Sequence, residues 1–451
     1  MTSSHMEEEA SVKAVTLKSC VLVDDGYLNN AFKVGRLGKG SYGKINLVRT
    51  RDNRVHAIKY VEIPYRGLSQ SQLAETNTLM RFRNAESIIQ LTGICYALPP
   101  RLAVLLEPMD RDLYNLLRKT EFEVRMTLLE TLFQSMITAL SHLEAFNMYH
   151  LDIKPHNILV RVEAGKTIFK LADFGLARIA PVPFLLTKNV AYSLPYRPPE
   201  FLAGNAYTYR KITGDIWALA LVLIEFITGH AVFLAKTDDQ MLKLIGNEGL
   251  KANDLIRVFL PLEPFRQIPS HLVDTITGML TVNPEKRPTA SELLFPDAPK
   301  VELYEKFSSP LYPRSYHQVL VPFLIKIGTN GGMSKASILI AVELLTRYLA
   351  ISADLTEISV IIFLLIASEF FDDYLLTAED LVLQYLIVTN KRVNFPIRNF
   401  VEVERKILLD LNFEIYDTHL TVVIQRAYNN NIKISTIDPI TFSQPITDWL
   451  Q

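Results

Sequence analysis

The chain has 451 residues, of which 49% are hydrophobic and 10% aromatic, and its formal net charge is -1. That much apolar material can build two or three domains with sizeable cores and excludes a disordered chain. A charge so near zero gives no general attraction to nucleic acid or to an anionic membrane. The two cysteines, Cys20 and Cys95, stand far apart and in no ligand spacing, so free buried thiols in a reducing compartment are expected rather than a disulfide. Residues 1–10 are polar and acidic, unlike a secretory signal. The most apolar run, 359–367, is shorter than the roughly 20 residues of a membrane crossing and reads as one buried helix of a soluble bundle. The expected location is cytoplasmic or nuclear.

Two short strand-like runs flank Gly38-Lys39-Gly40-Ser41-Tyr42-Gly43-Lys44-Ile45, and a third strand, Val55-His56-Ala57-Ile58-Lys59-Tyr60-Val61, follows. Glycines at 38, 40 and 43 let a backbone approach phosphates and turn N–H groups toward them. The periodicity predicts a helix over 67–82, with Leu73, Thr76, Leu79 and Met80 near one face. It carries Glu75, about one long turn of chain beyond the Lys59 strand. Residues 103–106 predict a buried strand that ends in Glu107-Pro108-Met109-Asp110-Arg111-Asp112. Asp112 is placed to cap a helix or to contact a ribose. A long amphipathic helix is predicted from Arg125 to Phe146.

The stretch 150–160, His-Leu-Asp-Ile-Lys-Pro-His-Asn-Ile-Leu-Val, then sets a carboxylate (Asp152), an ammonium (Lys154) and an amide (Asn157) at offsets 0, 2 and 5. Leu171-Ala172-Asp173-Phe174-Gly175 follows. Together these form the parts list for moving a phosphoryl group: a proton acceptor, a charge neutraliser and two metal ligands. Further on stand Tyr196-Arg197-Pro198-Pro199-Glu200 and Asn283-Pro284-Glu285-Lys286-Arg287-Pro288, in which Glu200 is expected to pair with Arg287. Between them, the segment from Asp215 to Ile227 is apolar on most faces, as befits a central helix.

These motifs, in this order, resemble a eukaryotic protein kinase over residues 31–298, of the serine/threonine type because Lys154 is present. The resemblance implies a bilobal α+β fold using ATP and Mg2+. It implies that Asp152 and Lys154, with Ser193 bonding both, carry catalysis. Asn157 and Asp173 would hold the metal. Leu37, Gly38, Gly40, Gly43, Ile45, Ala57, Lys59, Glu75, Glu107, Met109, Asp112 and Leu159 would surround the nucleotide. Tyr196-Arg197 and the stretch Gly67–Glu75 resemble the cyclin-dependent kinases more closely, with Leu73 where that family docks its cyclin. Three arginines that gather a segment phosphate in that family are here Ala74, Leu151 and Arg178. Activity independent of phosphorylation near Thr187, the nearest segment hydroxyl, is therefore expected. Ser41 and Tyr42 match inhibitory phosphorylation sites of that family. Pro195 replaces a family tryptophan, which argues against proline-directed specificity although Arg197 is kept.

A proline-containing linker (299–314) leads to a second, all-helical pattern, with helices expected at about 315–328, 334–350, 356–371, 377–389 and 398–411. Leu344-Leu345-Thr346-Arg347-Tyr348-Leu349, Ile366-Ala367-Ser368-Glu369-Phe370-Phe371 and Val403-Glu404-Arg405-Lys406-Ile407-Leu408-Leu409-Asp410-Leu411-Asn412-Phe413 resemble a single cyclin box over 315–430. Residues 1–30 are then an N-terminal extension and 431–451 a tail. The resemblance implies that Leu73 meets Ile366, Phe370 and Leu408, and that Glu404 is the glutamate that grips the kinase. Glu369 stands where a lysine is usual. The expected function is phosphorylation of protein substrates by a kinase activated in cis by its own cyclin-like domain. A pseudokinase scaffold, and a cyclin-like adaptor for a separate partner, remain alternatives at this point.

Overall fold

A computed structural model describes residues 26–29, 31–40, 43–63, 68–97, 101–146, 148–179, 192–203, 213–246, 268–294, 323–351, 357–371, 378–389 and 397–411. Cys20, Ser41, Tyr42, Thr187, the linker and the tail lie outside them, as do the side chains of Leu37, Glu369 and Phe370.

Five antiparallel strands form the first layer: β1 (Phe32–Gly40), β2 (Gly43–Arg49), β3 (Val55–Glu62), β4 (Leu91–Ala97) and β5 (Arg101–Leu106), in the order β1-β2-β3-β5-β4. Gly38 pairs with Ile45 and Gly40 with Gly43, so the pairing of β1 and β2 runs to the last described residues on either side of 41–42. Ile45 in turn pairs with Lys59 across β2–β3, and Ala57 with Leu106 across β3–β5. The register therefore sets the glycines, Ile45, Lys59 and Ala57 on adjoining positions of one sheet. A small core of Val48, Ile58, Cys95, Ala103 and Leu105 covers the sheet's other face. Cys95 is a buried free thiol, as expected.

Helix α1 (Gln70–Arg81) crosses this lobe. It begins three residues later than the periodicity suggested. Ser69 takes the N-cap with an extended backbone, and its N–H donates to Gln72 Oε1 at 2.7 Å, so the helix cannot begin before it. After β6 (Arg111–Asp112) and the short α2 (Leu113–Leu117), α3 runs over Phe122–Ala145. It starts a turn before Arg125, which is buried and donates to the carbonyls of Thr120, Phe226 and Ile227. An arginine inside the first turn, tied to the end of another helix, is not visible to a hydrophobic periodicity.

Strands β7 (Met148–Tyr149), β8 (Ile158–Glu163), β9 (Lys166–Leu171) and β10 (Arg178–Ile179) frame the loop at 150–157. Helices α4 (Pro199–Leu202), α5 (Gly214–Thr228), α6 (Asp238–Gly246), α7 (Ser270–Met279) and α8 (Ala290–Leu294) complete a mainly helical second lobe. Every residue of α5 from Gly214 to Ile227 is buried, which places it at the centre of that lobe. It stops at Gly229, whose φ of 81° closes the helix through an N–H to Glu225 O. Arg287 reaches Glu200 through two bonds of 2.8 and 3.0 Å, and also donates to Thr213 O. That pair was anticipated, and it fastens α4 to the segment leading into α8.

Beyond the linker lie helices at 323–330, then α10 (Lys335–Ile351), α11 (Glu357–Phe371), α12 (Ala378–Thr389) and α13 (Ile397–Asp410), with 323–330 taken as α9. The first of these runs two residues past the expected end at 328, and its expected start, 315–322, lies outside the described residues. The other four fall within a residue or two of the expected bounds. Helix α11 packs against α10, α12 and α13, and also against α1 of the first lobe. The apolar run 359–367 sits inside α11 and is buried in protein. No helix among the described residues is long and apolar enough to cross a membrane.

Candidate active site

Two short connections generate the site. The loop between β7 and β8 is held from below by Asp215 at the start of α5. This buried carboxylate accepts from the N–H groups of His150 at 2.6 Å and Leu151 at 3.0 Å. Burial raises the Asp215 pKa and these bonds oppose the rise, so the anion is stabilised by the loop it orders. His150 orients the next step. Its Nδ1 accepts from Asp152 N–H at 3.2 Å, and its Nε2 donates to Ala172 O at 3.1 Å, tying the loop to the Asp173 segment.

Asp152 is thereby presented with both oxygens engaged. Oδ1 accepts from Ser193 Oγ at 3.0 Å, and Oδ2 meets Lys154 Nζ at 2.6 Å and Asn157 Nδ2 at 2.8 Å. Lys154 Nζ also donates to Ser193 Oγ at 3.1 Å. Ser193 comes from a segment about 40 positions further along the chain, so the tertiary fold assembles the three expected catalytic groups as one cluster. Asn157 spends its amide N–H on Asp152, which leaves its carbonyl oxygen as the donor suited to a cation.

Asp173 follows Ala172, whose N–H binds Asn157 O at 2.9 Å, and it has a left-handed backbone at φ 65°. Its charge acts on Glu75, which places it beside the Lys59–Glu75 pair. Lys59 Nζ contacts the two Glu75 oxygens at 2.7 and 2.6 Å, and both residues are buried. Burial raises the Glu75 pKa, and Lys59 partly restores it. No group of three His, Cys, Asp or Glu side chains able to hold a metal occurs among the described residues. Mg2+ is normally held by one or two protein oxygens together with substrate phosphates and water. Asp173 and Asn157 are the residues that fit it.

At the rim, Leu159 pairs with Asp112 across β6–β8, which brings both to the junction of the lobes beside the buried Met109. Asp112 caps α2, accepting from Asn115 N at 2.7 Å and from Asn115 Nδ2, so most of its capacity is used locally. The Glu107 carboxylate is engaged by other side chains. It pairs with Lys170 at 2.6 Å and Arg161 at 3.4 Å and accepts from Gln90 N. Its N–H is bonded to Gln90 O as well. Any contact from Glu107 to a purine is therefore through its carbonyl. Sequence reading missed Lys170, a buried cation on β9 with no motif around it.

The glycine-bearing strands, the buried lysine–glutamate pair and the Asp152 cluster are thus linked through Lys59, Asp173 and Asn157. A family model described as a protein kinase domain matches residues 32–296. The chain belongs to the protein kinase family. This kinase is 28% identical to cyclin-dependent kinase 1 of Encephalitozoon cuniculi over 281 residues, covering 57% of this chain and 92% of that relative. It is 29% identical to cyclin-dependent kinase 17 of Caenorhabditis elegans over 222 residues, covering 49% of this chain and 32% of the relative. With mitogen-activated protein kinase 20 of Arabidopsis thaliana it shares 30% identity over 297 residues, covering 59% and 48%. The kinase is thus an enzyme of the serine/threonine class, similar to cyclin-dependent kinases.

Two of the three positions of the arginine-poor cluster are apolar in this kinase. Ala74 and Leu151 are both buried. Arg178, the one arginine kept, is buried too and directs Nη1 to the carbonyls of Ala177 at 2.8 Å and Gly175 at 3.4 Å.

Proposed function

We propose that the chain is a cyclin-dependent-type serine/threonine kinase whose helix α1 is held in its working position by the chain's own C-terminal helices. These act as a single cyclin-like box, and phosphorylation of the segment between Asp173 and Ser193 is not required. In this reading Asp152 accepts the proton of the substrate hydroxyl, and Lys154 neutralises charge on the transferred group. Lys59, positioned by Glu75, holds the nucleotide phosphates against the glycine-bearing strands, and Asp173 and Asn157 bind Mg2+.

One observation carries the cis reading. The Glu404 carboxylate on α13, itself buried, accepts from the N–H of Leu68 at 3.2 Å, immediately before the N-cap of α1. The bond spans 336 positions of chain and lands on the helix that delivers Glu75 to Lys59. Leu73, Ile366 and Leu408 are all fully buried in the same apolar cluster. A hydrogen bond to a charged group contributes about 1.5–3 kcal/mol, so Glu404→Ala is expected to lower kcat/KM for a protein substrate about tenfold or more. Steady-state phosphorylation by the folded variant checks this. Activity equal to wild type, in that variant and in a residue 1–300 fragment, would remove the cis reading and favour an adaptor role for the C-terminal helices.

The same geometry bears on substrate choice. Arg197 donates to Tyr192 O through Nη2 at 2.8 Å and Nε at 3.3 Å, and Nη1 is paired with Asp238. A carbonyl occupied in this way is a poor acceptor for the N–H of the residue after the target hydroxyl. Proline has no such N–H. Peptides with proline after serine are expected to react faster than matched alanine peptides, despite Pro195. Equal rates would show that this carbonyl does not face substrate.

A further inference from the structure

Tyr192 combines features that no single structural role requires. It is a bulky residue with a left-handed backbone, φ 56°, which costs of order 1–2 kcal/mol unless the surroundings enforce it. Its N–H donates to Leu151 O at 2.6 Å, and Leu151 is itself left-handed at φ 66°. Two strained residues, one in the catalytic loop and one just before Ser193, are thus bonded directly to each other. The Tyr192 carbonyl is closed by Arg197. Its ring is buried and packs edge-on against Phe201, with centroids 4.9 Å apart.

The ring ends against the start of α5. A Cβ added to Gly214 would lie 2.5 Å from Tyr192 Oη, so the glycine is the space that the phenol occupies. The next residue is Asp215, which orders the catalytic loop. Burial, followed by the Asp215 charge, keeps the phenol protonated. The hydroxyl lies beside the Asp215 carboxylate and interacts with it, so the ring is held by packing and by this polar neighbour.

We infer that Tyr192 is a positioning residue: its ring, seated on Gly214, and its N–H, bonded to Leu151, set Ser193 on Asp152 and Lys154 in place of a phosphate-gathering arginine cluster. This rests on the reading that segment phosphorylation is dispensable. The cluster sites themselves, Ala74 and Leu151, are buried and apolar, and Tyr192 is bonded directly to the second of them.

The test is a set of variants of the full chain, assayed for kcat and for KM toward peptide and toward ATP, with thermal melts. Tyr192→Val removes the wedge. It is expected to lower kcat/KM for peptide by up to about 10²-fold, the scale of a small misplacement of reacting groups, while the ATP KM stays as in wild type. Gly214→Ala forces the phenol out of its space and is expected to produce the same peptide-side defect. Tyr192→Phe added to Gly214→Ala removes the clashing oxygen and is expected to restore activity. A Tyr192→Val enzyme as active as wild type would overturn the inference. So would a Gly214→Ala defect that Tyr192→Phe does not relieve, or one that raises the ATP KM equally. Phosphatase-treated wild type keeps the two ideas separate, because loss of its activity overturns the phosphate-independent reading without reference to any variant.

Discussion

Asp152→Asn is expected to reduce kcat for peptide phosphorylation by about 10²–10⁴-fold, the usual contribution of a positioned general base, with little change in the ATP KM. Asn and Asp have the same shape, so His150, Asp215 and the loop backbone are undisturbed. What changes is the chemistry of the acceptor. Asp152 is surrounded by donors: Ser193 Oγ at 3.0 Å, Asn157 Nδ2 at 2.8 Å and Lys154 Nζ at 2.6 Å. An amide in its place can accept through only one atom and turns N–H groups toward at least one of these donors. It also removes the charge that fixes Lys154. A folded Asp152→Asn protein with near wild-type turnover would dismiss Asp152 as the proton acceptor. Wild type inactive in the same assay would instead favour a scaffold without catalysis.

Lys59→Met should have the second largest effect, on two measurements at once. It removes the cation assigned to the phosphates, so kcat/KM for ATP should fall by about 10²-fold or more, as for loss of one preorganised charge in a water-poor site. It also leaves Glu75 buried without the partner that lies 2.6–2.7 Å away, and breaking such a pair typically costs about 3–5 kcal/mol. The pH dependence gives the sign. The folded-state pKa of Glu75 is raised, because burial outweighs Lys59. The folded protein then holds that proton to higher pH than the unfolded chain does. The group's favourable contribution is complete below the ordinary carboxylate pKa and is lost as pH rises through the raised value. Without Lys59 the raised value climbs further, so the variant should lose melting temperature more steeply between acid and neutral pH than wild type. A flat difference across that range would mean that Glu75 is not titrating in the folded state.

Much of the candidate site was legible because it is local. Asp152, Lys154 and Asn157 lie within six residues, and Asp173-Phe174-Gly175 forms one short turn, so their types and offsets are readable as a string. The kinase resemblance put Lys59 and Glu75 together around the nucleotide, and the fold joins them at 2.6–2.7 Å. Glu200 and Arg287 were paired by motif, and the fold joins them with two short bonds. Boundaries were less legible. The start of α1 was set by Ser69 and Gln72 rather than by hydrophobic spacing, and the start of α3 by Arg125 reaching two carbonyls at the end of α5. Glu107 was placed at the nucleotide through its backbone, and the partners of its side chain, Lys170 and Arg161, were not legible because they come from β8 and β9 further along the chain.

By itself the sequence determined the reacting groups, the order of the elements and the apolar faces they bury, since each depends on residue type at short spacing. Only the tertiary structure decided how the catalytic loop is held. Leu151 and Tyr192 adopt left-handed backbones that their side chains disfavour, and no local propensity predicts this. They hold that form because Asp215, Arg197, Phe201 and the space at Gly214 surround them from distant parts of the chain. The Glu404 bond to Leu68 belongs to the same class, because a contact across 336 positions exists only once two packed surfaces have brought its ends together.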